Sequence, residues 1–137
     1  MGAFTGRRFY RGDRLNATEA NYVAQSSSRF EFIPVDYVRR FDATAPVGSY
    51  ELGAYGLLDM MGNVREWCWD WWSPPPGYST EAVSDPRGAA VGTRRVLRGG
   101  GWDQTASALR LAQRGYSGIS DPEERGNIGF RPARNAP

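Results

Sequence analysis

The segment spanning residues 56–72, GLLDMMGNVREWCWDWW, constrains the fold of this chain more than any other stretch. Four tryptophans, Trp67, Trp69, Trp71 and Trp72, fall within six residues, and the acids, glycines and asparagine before them follow neither a helical nor a simple alternating period. A tryptophan needs a large apolar surface for its ring and a partner for its N–H. The cluster therefore predicts a compact, irregular core. Residues 64–72 have the β-branched and aromatic character of a strand, which Pro74-Pro75-Pro76-Gly77 stops, and residues 57–61 allow one or two helical turns before Gly62.

A chain of 137 residues has room for a single domain with a modest core. With 17 glycines and 9 prolines, turns must be frequent and long helices few. Residues 2–21 read as loop with brief strands, and residues 30–35 as an edge strand limited by Pro34. Residues 94–102 form a strand that enters a tight glycine turn, residues 109–114 alternate as a further strand, and residues 128–132 close with a short one. The expected class is α+β, mostly irregular loops joined by short antiparallel strands.

The net charge of +2 is too small and too dispersed to predict nucleic acid or an anionic membrane as partner. Histidine is absent, which removes imidazole metal ligands, Ser-His and Cys-His nucleophile pairs and the usual neutral-pH proton shuttle. Cys68 is the single cysteine, so no intrachain disulfide forms, and its tryptophan neighbours predict a buried, inert thiol. No apolar run approaches the ~18–20 residues of a membrane span and no signal-peptide pattern opens the chain, so it reads as soluble, in a compartment the sequence leaves open.

One set of oxygen donors has spacing suited to a hard cation: the Asp59 carboxylate, the Gly62 and Val64 carbonyls and the Glu66 carboxylate, on a stretch that glycine lets bend sharply. Solvated or arginine-paired acids are the competing reading of the same residues. Arg95, Arg98, Arg110, Arg114 and Arg131 find natural bidentate partners in Asp59, Glu66 and Asp85, and a pocket for a substrate anion is the alternative.

Residues 56–67, GLLDMMGNVREW, resemble the "GLYDMxGNVWEW" motif of the formylglycine-generating enzyme family, the sulfatase-modifying factor domains. Thr44-Ala45-Pro46-Val47-Gly48-Ser49 agrees in order and spacing, as do residues 95–102, RVLRGGGW, against "RVxRGGSW", and Gly129-Phe130-Arg131 against the closing "GFR". Residues 5–13, TGRRFYRGD, resemble "TGRRYPWGD", which lies near the middle of the family domain, so residues 1–137 read as one partial domain, mainly its C-terminal half, with the resemblance strongest over residues 6–133. The resemblance implies a C-type-lectin-like fold and calcium at Asp59, Gly62, Val64 and Glu66. A second family site would use Asn21 and Tyr22 with an acid near Phe41, where Arg39 stands here. It also implies that tryptophans lacking their usual packing partners form an apolar patch, for self-association or for a missing N-terminal half.

The oxidising members of that family hold copper(I) on two cysteines a few residues past "RGGSW", and thiolates are the soft ligands cuprous ion requires. Here Trp102 is followed by DQTASALR with no cysteine, and Gln104 falls near the first ligand's position. Copper and formylglycine-forming activity are therefore not expected of this segment, and the alternative is a fragment of a family oxidoreductase, of formylglycine-generating or sulfoxide-synthase type, whose catalytic residues lie elsewhere. Relatives that vary the stretch between "RGGSW" and "GFR" for ligand contact suggest a recognition surface made of Trp102, Asp103, Gln104, Ser107, Gln113, Tyr116, Ser117 and Ser120, for a protein or small-molecule ligand left unnamed. An ordinary hydrophilic loop is the plainer reading.

Overall fold

The computed structural model describes residues 6–25, 29–32, 42–53, 55–74, 81–86, 88–118 and 126–133. Its elements in chain order are β1 (Leu15–Asn16), β2 (Glu31–Phe32), β3 (Arg65–Trp71), β4 (Arg95–Arg98), a 3₁₀ turn (Ala106–Leu109), β5 (Gly115–Ser117) and β6 (Ile128–Gly129). Strands β5-β4-β3-β6 form one sheet in that order, and β1 and β2 pair separately. Among the described residues there is no α-helix, and no helix long and apolar enough to cross a membrane.

Strand β3 falls where its aromatic and β-branched run predicts, and β4 runs into Gly99 and Gly100, at φ 91° and 74°. At Gly100 glycine is required twice over: the backbone is left-handed, and a Cβ would stand 2.6 Å from Leu109 Cδ1. The β3 and β4 strands pair antiparallel through Glu66 opposite Arg98 and Trp67 opposite Leu97, then shift register before Trp71 meets Arg95. That irregularity re-aims the side chains of β3 and prevents a single-faced tryptophan stripe.

The expected antiparallel pairing holds for β3 with β4 and for β4 with β5, and fails for two other pairs. β1 and β2 are parallel, and so are β3 and β6. Residues 57–61 form bends rather than a helical turn, because Asp59 lies at φ 54° and Gly62 at 75°. Residues 109–114 are not a strand: the chain completes the 3₁₀ turn and turns again before β5 begins at Gly115. Leu109 explains the difference, since it is drawn into the core that the N-terminal segment builds.

That core is Phe9, Leu15, Ala20, Tyr22, Ala106 and Leu109, with Phe30 and Met61 against it. The tryptophans are not its centre, which corrects the sequence expectation. Trp67, Trp71 and Trp72 are half-buried and Trp69 is 87% exposed. Arginine covers part of the deficit: the Arg95 guanidinium lies 3.4 Å from the Trp71 ring centroid and 5.2 Å from that of Trp69. Arg114 stands 5.1 Å from Trp72, whose ring meets Tyr116 at 4.6 Å. A planar guanidinium over an aromatic face is attracted by its quadrupole while shielding it from water.

Candidate functional site

The segment after Gly100 is fixed to the rest of the molecule by backbone bonds at short intervals. Trp102 N–H donates to the Asn63 carbonyl at 2.8 Å, Gln104 N–H to Gly101 at 3.0 Å, and Val23 N–H to the Gln104 carbonyl at 2.8 Å. Ala106 opens the 3₁₀ turn with its N–H on Glu31 Oε1 at 3.3 Å, and the buried Glu31 carboxylate also takes the Gln25 N–H. The Leu111 N–H ends on the Arg8 carbonyl at 2.8 Å. A loop held this way presents its side chains from a stable base.

Asn63 is the hub of that base. It is 7% exposed at φ 65°, a left-handed conformation that asparagine tolerates better than most residues. Its Oδ1 accepts the Ala45 N–H at 2.7 Å and the Asn21 amide at 3.3 Å, and its Nδ2 donates to the Ala45 carbonyl at 3.2 Å. Its own N–H donates to the Asn21 carbonyl at 2.8 Å. The Asn63 side chain thus ties residues 21 and 45 to this turn, while its backbone carbonyl holds Trp102. Asn63, Glu31 and Asn127 stand out in the structure and not in the sequence, where only the place of Asn63 beside Gly62 hinted at a turn.

The proposed recognition residues divide into three groups. Asp103, Ser107 and Tyr116 are exposed; Asp103 accepts Asn127 Nδ2 at 2.7 Å, and Arg65 donates to Asn127 Oδ1 at 3.0 Å. Trp102 is half-buried, with Nε1 on the Gly126 carbonyl at 3.3 Å, and Gln113 accepts Arg110 Nη2 at 2.8 Å. Gln104 turns inward, its Oε1 taking the Gly101 N–H at 3.1 Å. Ser117 is 1% exposed, so its assignment to a ligand surface is corrected: β5 places it on the covered side. Ser120 lies outside the described residues, as do Arg39 and Phe41.

Around Gln104, Arg65, Arg98, Gly100 and Gln113 line a hollow of about 50 Å³. That is space for one or two water molecules and not for a peptide side chain. The free cysteine, Cys68, lies on β3 away from this hollow, and burial pushes its thiol above the ordinary value of 9.0. A thiol held protonated is a poor nucleophile and a poor ligand for a soft metal.

The four residues expected to hold calcium span a sharp turn, with Asp59 and Gly62 both at positive φ. Asp59 accepts the N–H groups of Gly48 and, at 3.2 Å, Tyr50. Glu66 is gripped by Arg131, whose Nη2 reaches Oε1 at 2.7 Å and whose Nε reaches Oε2 at 3.0 Å. This hydrogen bond is the main reason the Arg131 guanidinium holds its proton more tightly than usual. Arg131 Nη2 is also 3.5 Å from the Asp59 carbonyl, so a protein cation stands between the two ends of the quartet. Two carboxylates and two carbonyls suit calcium in type, and an ionised carboxylate has lone pairs to spare beyond these bonds. The fit therefore requires Glu66 to share an oxygen that Arg131 also holds. Among the described residues no three or more His, Cys, Asp or Glu side chains converge as a metal site, so the carbonyls are indispensable to any such cage. Asn21 and Tyr22, named for a second cation, are buried, and Asn21 donates its amide to the Ala43 carbonyl at 2.7 Å.

Comparison with known proteins bears on the family and the fold. The family profile of the sulfatase-modifying factor enzyme 1-like domain, FGE-sulfatase, matches residues 1–136. A formylglycine-generating enzyme of Streptomyces coelicolor is 36% identical over 98% of this chain, which spans 43% of that relative. Treponema denticola variable protein 1 superposes with a TM-score of 0.62 and 29% identity over 82% of this chain and 34% of its own. The structure of PvdO from Pseudomonas aeruginosa superposes at 0.59 with 27% identity, covering 83% of this chain and 38% of its own.

Proposed function

Since this chain belongs to the FGE-sulfatase family of sulfatase-modifying factor domains, we propose that it serves as a non-catalytic, calcium-supported binding or scaffolding module with the segment after Trp102 as its recognition surface. One observation carries the reading. Where the oxidising relatives are expected to hold copper, Gln104 folds its amide back onto Gly101, the adjoining hollow is about 50 Å³, and no cysteine follows Trp102. Copper(I) chemistry on a thiol needs soft ligands and room for the substrate sulfur.

Positive support for binding comes from the hydrogen-bonded base beneath Asp103, Ser107 and Tyr116. A platform ordered before it meets its ligand loses little conformational entropy on binding. The superposition on a Treponema variable protein favours the same reading, as an analogy of fold. Calcium, where bound, would be held by Asp59, the Gly62 and Val64 carbonyls and Glu66, and would brace the turn that carries Asn63. Its role in this reading is structural. The exposed indole of Trp69 marks the face through which the module would associate.

The test is turnover. The chain is supplied with copper(I), oxygen and a cysteine-containing peptide, and the peptide is followed by mass spectrometry. The reading expects unchanged peptide mass and no copper retained after desalting. Catalytic conversion of the peptide cysteine to an aldehyde would replace it with the enzyme reading.

A further inference from the structure

A second cavity, of about 290 Å³, opens between β3, the Gly99 turn and residues 109–111. It is much larger than the hollow at Gln104 and of a size that holds a small organic ligand. Its walls combine apolar side chains, Met60, Met61, Trp67, Leu109 and Leu111, with a concentration of arginine. Arg98, Arg110 and Arg131 line it against the single carboxylate of Glu66.

Those charges are unequally satisfied. Arg131 and Glu66 neutralise each other at 2.7 Å. Among the described residues Arg110 has only neutral partners, the Ser107 carbonyl at 2.9 Å and Gln113 Oε1 at 2.8 Å. Arg98 donates through Nη2 to the Leu111 carbonyl, while its Nη1 is buried with no hydrogen-bond partner among the described residues. A buried guanidinium N–H left unpaired is unfavourable by about 1–3 kcal/mol or more, so a native structure that keeps one has a reason. Cys68 and Tyr10 also line the cavity.

We propose that this cavity binds a small carboxylic acid with an apolar body, its carboxylate on Arg98 and Arg110 and its hydrocarbon against Trp67, Met60 and Met61. Two guanidiniums with no acidic partner among the described residues match one delocalised anion. The thioethers adapt to an irregular hydrocarbon shape, which a purely polar anion would leave facing apolar walls. The inference is independent of the role given to the surface after Trp102, and either can fail alone.

Isothermal titration of the full chain with octanoate, octanol and acetate tests it. Octanoate is expected to bind, with octanol and acetate weaker by at least about tenfold, the worth of a charge-assisted hydrogen bond or of the lost apolar contact respectively. Cys68→Phe, which fills the cavity, is expected to abolish binding at unchanged circular dichroism. Arg110→Gln, at a half-buried position, is expected to weaken it about five- to tenfold, and reports on the charge even where Arg98→Met does not fold. No octanoate binding, equal binding of octanol, or binding that survives both Cys68→Phe and Arg110→Gln would overturn the proposal.

Discussion

Replacing Asn63 by alanine removes the side chain that joins three separate segments. The structure supplies the terms of its effect. The Ala45 N–H and carbonyl both lose their partner, at 2.7 and 3.2 Å, inside a buried environment. Each polar group stranded there is unfavourable by about 1–3 kcal/mol. Alanine must also adopt the φ of 65° that asparagine accepts, for about another 1–2 kcal/mol. Partial relaxation and water entry reduce the sum, and a loss of about 3–5 kcal/mol is expected, at the upper end of what one substitution does. Urea unfolding followed by tryptophan fluorescence measures it, with Asn63→Gly as the internal control. Glycine relieves the backbone and keeps the side-chain loss, so it should be more stable than Asn63→Ala by about 1 kcal/mol. If Asn63→Ala lies within about 0.5 kcal/mol of the parent, the side-chain hub does not exist, and residue 63 holds the segment after Gly100 through its backbone carbonyl alone.

Gly100→Ala should destabilise by about 2–4 kcal/mol in the same assay, combining left-handed backbone strain with the overlap against Leu109. The Cys68 and Tyr10 pKa values are both raised by burial, so in the window above the unfolded values the folded state binds more protons and stability falls as pH rises. Thermal unfolding in steps across the alkaline range should show that decline, and Cys68→Ala should flatten part of it. Calcium at about a hundredfold over its Kd should stabilise the chain by about 2.7 kcal/mol relative to chelator, and Asp59→Ala should abolish the difference in melting temperature. A calcium response that survives Asp59→Ala would move the ion elsewhere.

The parts of this fold that the sequence made legible are those whose signal is local. The aromatic run ending at the prolines after Trp72 is β3, and the strand that runs into Gly99 and Gly100 is β4. The antiparallel pairs of β4 match the expectation, while the parallel pairings were not legible, because the parallel partners of β3 and β1 come from residues further along the chain. Leu109 shows the same limit: its alternation with Leu111 suits a strand, yet burial against Phe9, Leu15 and Tyr22 draws it into a 3₁₀ turn. Tertiary burial outweighs a short local pattern. The tryptophans misled for a different reason, since Arg95 and Arg114 let half-exposed rings find favourable contact without a deep core.

For the candidate site, the motifs marked out the segment after Trp102 and the acids Asp59 and Glu66 along the chain. They did not give the direction of each side chain. Gln104 and Ser117 point inward, and Glu66 faces Arg131 across the parallel pair of β3 and β6. The buried Glu31, which holds the start of the 3₁₀ turn, had no sequence signal beyond its place in a short strand.

The account rests on residues 101–111 being a fixed platform rather than an adaptable catalytic loop, and amide hydrogen exchange tests that most directly. The N–H groups of Trp102, Gln104, Ala108 and Leu111 each have a backbone acceptor at 2.8–3.0 Å, so in the isolated chain they should exchange about as slowly as those of β3 and β4. Exchange of these amides at the rate of an open loop, while β3 and β4 stay protected, would contradict it.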